Sequence, residues 1–578
     1  MLQKPTKPSR SRPGVRVARL DAFGAGIVGV ATSVPAFVGY TEFARNPVTG
    51  EPLYMKPVTI SSLADFTARF GGPAVPHYVV STVSPPAVSD FTAWYTTPPP
   101  DNSVAMTGFG VQLATAGGEP GGFNFYWQMC LYFANGGGSC VIVSVGSYWA
   151  GRFPTEAPGA IPADWVPAAI RAGTAEPMTD LLGGLAAAGQ AVGPAMIVVP
   201  EACQLGAGDY AKVAGAMIEQ AGTLGDRMAI LDLPDCLAAD TIDLLQAAQK
   251  TLWTAIAPVQ SFASYGAAYG PALQAEIVMA DDLLYTVLVA RPGGDNSVVN
   301  DILTTQAVQL YQGDRLAQVQ AAIAGAFPLD GAFGTSNGPS YSVDSANYPS
   351  FDPAKTSLDT WQRALNQALL AALPVLGDML RVVATAMNVA PPSGALAGIW
   401  AANDAQAGVW SAPANIAAAQ ISAPLYTMSD VEQGQFNVPV NGMAIDILRA
   451  FPGRGAVVWG ARTLDGNSDD HRYVHVRRTL IYIQQSIATA LRSYAFAAND
   501  ATTWSAVTAS ISAFLTGLWQ QGGLVGAKPS DAFMVSCAAG STMTMQDALD
   551  SRMRVTVSLA ISHPAEFIVL TFDQDMGG

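Results

Sequence analysis

The segment from about residue 180 to residue 300 alternates apolar runs that favour helices with short apolar runs that favour strands. Two of the short runs, residues 195–200 and 227–234, are almost entirely apolar. A strand of this kind needs cover on both faces, as in a parallel sheet whose crossover helices pack on either side. The alternation therefore predicts a parallel α/β domain in the middle of the chain, which we delimit at residues 186–435.

The region before this domain has a different composition. Residues 1–20 carry six basic residues and no acidic residue, and Pro5, Pro8 and Pro13 disfavour a helix there. We therefore predict an N-terminal basic arm over residues 1–25. Residues 26–185 are predicted to form an N-terminal domain with loop-rich insertions, of which residues 73–122 are the clearest because they are rich in Pro, Gly, Ser and Thr.

The last quarter of the chain has clear helical periodicity. Apolar residues recur at helical spacing between 480 and 494 and again between 504 and 518. Asp500 is in position for an N-cap of the second helix, and Gly522 is in position to end it. We predict an α+β C-terminal domain over residues 436–563. The final residues, 564–578, include an apolar strand that could be covered by joining the sheet edge of a partner. A long apolar helix is expected near residues 358–386.

The bulk composition limits the classes of function. Only 13% of the residues are charged and half are hydrophobic, so much of the surface is expected to meet other protein. The net charge of −15 makes nucleic acid an unsuitable partner. The five cysteines are widely spaced, which predicts buried free thiols in a protein made in a reducing compartment. Their spacing is not that of a zinc site. Neither a signal peptide nor a membrane span is expected.

Two short patterns raise the possibility of site chemistry. Residues 24–29 fit the dinucleotide-binding pattern G-x-G-x-x-G, but the β-branched residues that follow do not favour the helix that such a site requires. His471 and His475 have the spacing of metal ligands on a helix, but their segment resembles a strand. A P-loop and a nucleophile elbow are missing from the sequence. We predict no cofactor, metal or catalytic residues, with an α/β enzyme (a hydrolase or a dinucleotide-binding protein) as the alternative.

A group of arginines lies in the C-terminal region. They either form salt bridges within the domain or contact an acidic neighbouring surface, which would be another subunit or an inner tube. The candidate contact residues are Arg454, Arg462, Arg477, Arg478 and Arg492.

Several short stretches of the C-terminal region, in their order and spacing, resemble the C-terminal domain of contractile tail sheath proteins. They are Phe-Pro-Gly-Arg-Gly at 451–455, Val-Trp-Gly-Ala-Arg-Thr at 458–463, Val-Arg-Arg at 476–478, Ala-Asn-Asp at 498–500, Trp504, and Ala-Glu-Phe-Ile-Val at 565–569. Further matching stretches lie at 34–41, 56–72, 390–394 and 408–410. The stretches at 34–41 and 56–63 are most similar to the sheaths of extracellular contractile injection systems.

The resemblance implies a fold and a function. The fold would combine a non-catalytic, subtilisin-like α/β middle domain with an α+β sheath domain and terminal arms that complete the sheets of neighbouring subunits. The arm contacts would be made by Val15, Val17, Leu20, Phe567, Val569 and Phe572. The protein would be a structural subunit and no enzyme.

The same resemblance implies an assembly. Subunits would form stacked hexameric rings around an inner tube and contract to drive the tube through a target membrane, with baseplate and terminal cap proteins as further partners. Neither nucleic acid nor direct membrane insertion would be involved. The sheath would assemble in the bacterial cytoplasm as part of a phage tail, a virion component, or of a released phage-tail-like particle.

Overall fold

The computed structural model describes residues 26–566 except for residues 75, 85–86, 98–104, 117–118, 121, 149–167, 290–294, 330–355, 545, 548–549 and 565. The chain divides into two compact units. The C-terminal unit comprises Met1–Gly29 and Ile483–Ser562, and the core unit comprises Val30–Tyr482 and His563–Gly578.

The core unit contains most of the regular structure. Its strands are β1 (Pro35–Thr41), β2 (Val58–Ile60), β3 (Tyr78–Thr82), β4 (Phe91–Ala93), β5 (Thr107–Leu113), β6 (Thr115–Ala116), β7 (Glu119–Pro120), β8 (Cys140–Ser147), β9 (Met196–Val198), β10 (Met228–Asp232), β11 (Gly266–Gly270), β12 (Leu273–Ala275), β13 (Val389–Ala390), β14 (Ile416–Ala417), β15 (Ile421–Pro424), β16 (Asp446–Phe451) and β17 (Gly455–Val458). Its helices are α1 (Leu63–Phe70), α2 (Phe125–Ala134), α3 (Asp180–Gly189), α4 (Ala207–Leu224), α5 (Ile242–Ile256), α6 (Ser297–Leu310), α7 (Gly313–Ala326), α8 (Leu358–Ala372), α9 (Pro374–Met387), α10 (Ser393–Ala407) and α11 (Asp430–Asn437), and α12 (Val474–Leu491) begins in it.

A nine-stranded mixed sheet organises the core unit, in the order β14-β17-β16-β11-β10-β9-β1-β8-β2. The central strands from β8 to β16 are parallel, while β2, β17 and β14 are antiparallel additions at the two edges. Helices α4 and α5 are the crossovers between β9, β10 and β11. The predicted mixed α/β architecture is therefore confirmed. The parallel part of the sheet includes β9, β10 and β11, which lie in the region where the alternation of helices and strands predicted a parallel sheet.

Strand pairing crosses two of the predicted domain limits. Strand β1 pairs with β8 on one side and β9 on the other, and β16 pairs with β11. The sheet thus takes strands from residues 26–185 and 436–563 as well as from the predicted middle domain. The physical reason is visible in β1, whose seven residues are all buried, so that it needs a neighbour at each edge and cover on each face. Its alternate residues belong to two separate hydrophobic cores.

A third hydrophobic core lies within the core unit. A three-stranded sheet in the order β3-β5-β4 shares this core with helices α6 to α9. The loop-rich interpretation of residues 73–122 was wrong in part, because Tyr78, Val80, Phe109 and Val111 supply buried residues to this core. The single helix expected near 358–386 is two helices. Pro374 begins the second, and a proline cannot continue the hydrogen-bonding pattern of the first.

The bend between these two helices also bears on membrane crossing. Within the described part of the chain, no single helix is long and apolar enough to span a membrane. Helices α8 and α9 have the required length and apolar composition only when taken together, and the chain bends by 115° between them. Trp361, Leu365, Leu376 and Leu380 from this pair are buried in the third core. The apolar character of the two helices is thus explained by packing.

The C-terminal unit contains α13 (Ala501–Gln520), α14 (Pro529–Ala532), β18 (Phe533–Ser536) and β19 (Thr556–Leu559). Asp500 caps α13 by accepting a hydrogen bond from the Thr503 amide at 3.0 Å. The buried face of α13 comprises Val507, Ile511, Leu515 and Leu518. The predicted cap and periodicity are both confirmed. Strands β18 and β19 form an antiparallel pair.

Candidate functional site

A cluster of four polar side chains holds the chain in place near its C-terminal end. We call this cluster the terminal anchor; it comprises Asn437, Arg462, Tyr473 and Glu566. Arg462 donates two hydrogen bonds to the Glu566 carboxylate, from Nε to Oε1 at 2.9 Å and from Nη2 to Oε2 at 2.6 Å. The Arg462 side chain is 5% exposed and that of Glu566 is 19% exposed. A bidentate, largely desolvated pair of this kind fixes position and orientation together.

The other two members complete the coordination of the carboxylate. Tyr473 donates its hydroxyl to Oε2 at 2.8 Å, and Asn437 donates its amide to Oε1 at 2.9 Å. Burial alone would raise the pKa of Glu566, but the hydrogen bonds from Arg462, Asn437 and Tyr473 outweigh it and the pKa is lowered. The anchor therefore holds Glu566 in its charged form.

Three separate elements bring the anchor together. Asn437 ends α11, while Arg462 follows β17 and forms an isolated antiparallel bridge with Tyr473, just before α12. Glu566 is 104 residues from Arg462 in the chain. It is the third residue of the segment predicted to act as the C-terminal arm, residues 564–578, so the anchor fixes the base of that segment to the core unit.

A second buried arginine, Arg478 on α12, joins distant parts of the core unit. It pairs with Asp404 on α10 through Nη1–Oδ1 at 2.7 Å and Nη2–Oδ2 at 2.6 Å, and each side chain is 3% exposed. Its Nη2 also donates to the carbonyl of Thr32 at 3.0 Å, just before β1, and its guanidinium lies 4.7 Å from the Trp400 ring centroid. Arg478 thus fixes the entry to the central strand.

The adjacent Arg477 has a different environment. Its Nη2 donates to the hydroxyl of Ser264 at 2.6 Å, and its guanidinium lies 4.4 Å from the Tyr265 ring centroid. Burial lowers the pKa of Arg477. These contacts hold the first turn of α12 to the segment that precedes β11.

The five arginines proposed from the sequence therefore fall into two groups. Arg462, Arg477 and Arg478 are buried and have partners within the core unit. Arg462 and Arg478 form salt bridges, whereas Arg477 contacts Ser264 and Tyr265. Arg454 and Arg492 are exposed. Arg454 binds Asn415 through its side-chain oxygen at 2.8 Å and its carbonyl at 2.9 Å.

The predicted arm contacts Val15, Val17, Leu20, Phe567, Val569 and Phe572 lie outside the described residues. Sequence reasoning missed Glu566 as the partner of Arg462, and with it Asn437 and Tyr473. One signal was present: Glu566 is the single charge in the stretch 565–572, downstream of an arginine-rich segment. A lone carboxylate in such a stretch requires a partner when it is buried.

The structure also describes the two sequence patterns that are typical of dinucleotide and metal sites. Residues 26–32, which include the described end of the G-x-G-x-x-G pattern, form no helix. The strand expected around His475 was wrong, because α12 begins at Val474 and places His475 in its first turn. No group of three or more His, Cys, Asp or Glu side chains suitable for a metal ion occurs among the residues that the structure describes.

Three buried carboxyl groups lie near the ends of the parallel strands. Glu201 and Asp232 lie at the carboxyl ends of β9 and β10, where α/β proteins often bind ligands, and Asp446 lies at the start of β16. Each accepts a backbone amide hydrogen bond at 2.8 Å from another segment: Glu201 from Tyr40, Asp232 from Ser393, and Asp446 from Arg462. Burial raises their pKa values to about 8, 7 and 8 respectively. These carboxyl groups join chain segments inside the core unit.

Comparison with known proteins identifies the architecture. Residues 467–575 match the family described as the phage tail sheath C-terminal domain. The chain is 21% identical to the helical sheath of the anti-feeding prophage in its contracted state, with a TM-score of 0.52, 98% of this chain covered and 100% of the other. No curated protein matches the sequence.

Two further structures extend the likeness. A chain from the six-fold symmetrised baseplate of the anti-feeding prophage is 20% identical, with a TM-score of 0.51, 98% of this chain covered and 100% of the other. The sheath complex of PVC, an extracellular contractile injection system, in its contracted state is 21% identical, with a TM-score of 0.50 and 99% of both chains covered. The resemblance to contractile tail sheath proteins, given above on short motifs, is confirmed.

Proposed function

We propose that this protein is the structural subunit of a contractile sheath of the extracellular injection-system type. The observation that carries the proposal is the likeness in fold to the sheath of the anti-feeding prophage, which extends over 98% of this chain and all of the other.

The assembly we infer consists of stacked hexameric rings around an inner tube. The N-terminal arm, with Val15, Val17 and Leu20, and the C-terminal arm, with Phe567, Val569 and Phe572, would each add a strand to a sheet of a neighbouring subunit. Repeated head-to-tail contacts of this kind propagate into a helix. Within the subunit, the parallel α/β core would be the subtilisin-like middle domain, without catalytic residues.

The terminal anchor supports this role for the C-terminal arm. An arm that links two subunits transmits force between them only if its base is fixed to its own subunit. The four hydrogen bonds on Glu566, two of them from Arg462, provide that fixed base. Contraction would then be a rigid-body movement of subunits from one packing to another, with the linkages between the arms acting as hinges.

Contacts with other proteins would lie on the exposed surface. Among the predicted arginines, Arg454 and Arg492 are available for an acidic neighbouring subunit or an inner tube, because their side chains are exposed. Baseplate and terminal cap proteins would complete the particle. We propose that it assembles in the bacterial cytoplasm and drives its tube through a target membrane after release.

Electron microscopy of the purified full-length protein, expressed alone, tests the proposal. We expect hollow striated tubes with a lumen wide enough for an inner tube. A variant that lacks residues 1–25 should remain folded, by circular dichroism, and form no tubes. Monomers or small closed oligomers of the intact protein at high concentration would contradict the sheath function.

A further inference from the structure

Two buried cysteines lie beyond the ends of neighbouring parallel strands. Cys203 is in the 3-10 turn Pro200–Gln204 that follows β9, and Cys236 begins the 3-10 turn Cys236–Ala238 that follows β10. The two strands pair in parallel register. The turns are joined directly, because the amide of Asp235 donates to the carbonyl of Cys203 at 2.8 Å. The topology therefore brings together two residues that are separated by helix α4 in the chain.

Both side chains belong to the same hydrophobic core. Cys203 is 1% exposed and Cys236 is fully buried, and this core lies on one face of the sheet. The Cys203 thiol donates to the carbonyl of Pro200 at 3.2 Å. Its interaction with Cys236, followed by burial, raises the pKa of Cys203. Cys140, in contrast, belongs to the core on the other face.

We propose that Cys203 and Cys236 are a redox modification site, which holds two thiols in a reducing cell and forms a disulfide when the protein meets a peroxide. The two cysteines are neighbours in the fold, because the carbonyl of Cys203 accepts a hydrogen bond from the amide of Asp235, the residue before Cys236. The inference rests on this geometry and is independent of the sheath function.

The chemistry requires one equivalent of peroxide. The sulfur of one cysteine attacks a peroxide oxygen, the O–O bond breaks, and a sulfenic acid and one water form. The sulfur of the second cysteine then displaces the hydroxyl group, which leaves as a second water, and the S–S bond forms. Two thiols are oxidised by two electrons in total and hydrogen peroxide is reduced to two waters. Because burial and the raised pKa of Cys203 keep its thiolate scarce, the first step should be slow at neutral pH.

The disulfide would change the stability of the sheet. It would close a covalent loop around β10 and α4, between the ends of two central strands, and restrict the unfolded chain. Oxidation should therefore raise the midpoint of thermal unfolding by about 3 °C. A particle that leaves a reducing compartment would gain this stabilisation without a change in sequence.

The experiment uses the purified full-length protein, kept reduced and then incubated with hydrogen peroxide. Remaining thiols are alkylated in denaturant, the protein is digested without reductant, and peptides are identified by mass spectrometry. We expect a linked pair of peptides containing Cys203 and Cys236, its loss on treatment with dithiothreitol, and the upward shift in unfolding midpoint. Cys203→Ala and Cys236→Ala should each abolish the shift, while the matched buried control Cys140→Ala should keep it.

Three results would overturn the proposal. The first is full alkylation of both cysteines after peroxide treatment. The second is sulfinic acid on one cysteine beside a free thiol on the other. The third is a linked peptide pair that joins other cysteines. Since peptide mapping uses the wild-type protein, the answer does not depend on whether either alanine variant folds or whether tubes form.

Discussion

Arg462 and Glu566 form a bidentate pair across 104 residues of the chain, with N–O distances of 2.9 and 2.6 Å. Arg462 also donates its backbone amide to Asp446 at 2.8 Å, at the start of strand β16. One residue thus connects the base of the predicted C-terminal arm directly to the central sheet. In a sheath, this is the path by which tension on the arm would reach the body of the subunit.

Removing this connection should release the arm. In Arg462→Ala, Glu566 loses two charge-assisted hydrogen bonds, which should weaken local attachment by about 2 to 3 kcal/mol. We expect faster proteolysis after residue 563 and fewer or shorter tubes, while the circular dichroism spectrum is kept. The exposed Arg454→Ala is the matched control for proteolysis. Equal cleavage rates in the two variants would show that the anchor does not hold the arm.

The pair between Arg478 and Asp404 should matter for global stability. Arg478→Ala leaves Asp404 charged and 3% exposed with its principal partner gone, so we expect a loss of about 3 to 5 kcal/mol in unfolding free energy. Thermal unfolding followed by circular dichroism measures the effect. Arg363→Ala is the control, because its pair with Asp359 is 60% and 64% exposed and should contribute less than about 1 kcal/mol. Similar midpoints for both variants would refute this prediction.

Gly398 on α10 allows a close approach to α2. A Cβ at this position would lie 2.4 Å from the carbonyl oxygen of Tyr132, which is backbone and cannot turn away. Gly398→Ala should therefore destabilise the protein by about 1 to 3 kcal/mol. In Gly517→Ala on α13, no neighbouring atom of the described residues lies within 4 Å of the new methyl group, so helix propensity alone should make that change neutral or stabilising. The denaturant midpoint of Gly398→Ala should fall, and that of Gly517→Ala should stay the same or rise; an unchanged midpoint in Gly398→Ala would argue against close packing.

The three buried carboxyl groups predict the direction of pH dependence. Burial raises the pKa values of Glu201, Asp232 and Asp446 to about 8, 7 and 8, whereas in the unfolded chain they would lie near 4. Between about pH 4 and pH 8, unfolding releases the protons of these carboxyl groups. Their contribution to the free energy of unfolding is therefore complete below about pH 4 and is lost as the pH rises through 7 and 8.

Thermal unfolding midpoints measured from pH 5 to pH 9 test this direction. The midpoint should fall across the range, and Glu201→Gln should reduce the slope because an amide does not titrate. As a control, Asp359→Asn changes an exposed carboxylate and should leave the slope unchanged. A midpoint that rises between pH 6 and pH 8 would contradict the assignment.

The sequence by itself determined the local structure of several elements. The apolar runs at 195–200 and 227–234 contain β9 and β10, and Asp500 begins α13, because strand burial, helix periodicity and capping each depend on residues close together in the chain. Short ordered motifs were also enough for the resemblance to contractile sheaths. Patterns of this kind can be recognised without knowledge of which distant segments pack against them.

Only the tertiary structure decided which distant segments meet. It placed β1 between β8 and β9, so that residues from the start of the chain complete the central sheet. It also placed Arg462, which is buried, against Glu566. A charged side chain gives the same local signal whether it faces solvent or a partner 104 residues away, because its environment is created by packing. The juxtaposition of Cys203 and Cys236 has the same origin, since parallel strand pairing aligns the ends of segments that the chain itself keeps apart.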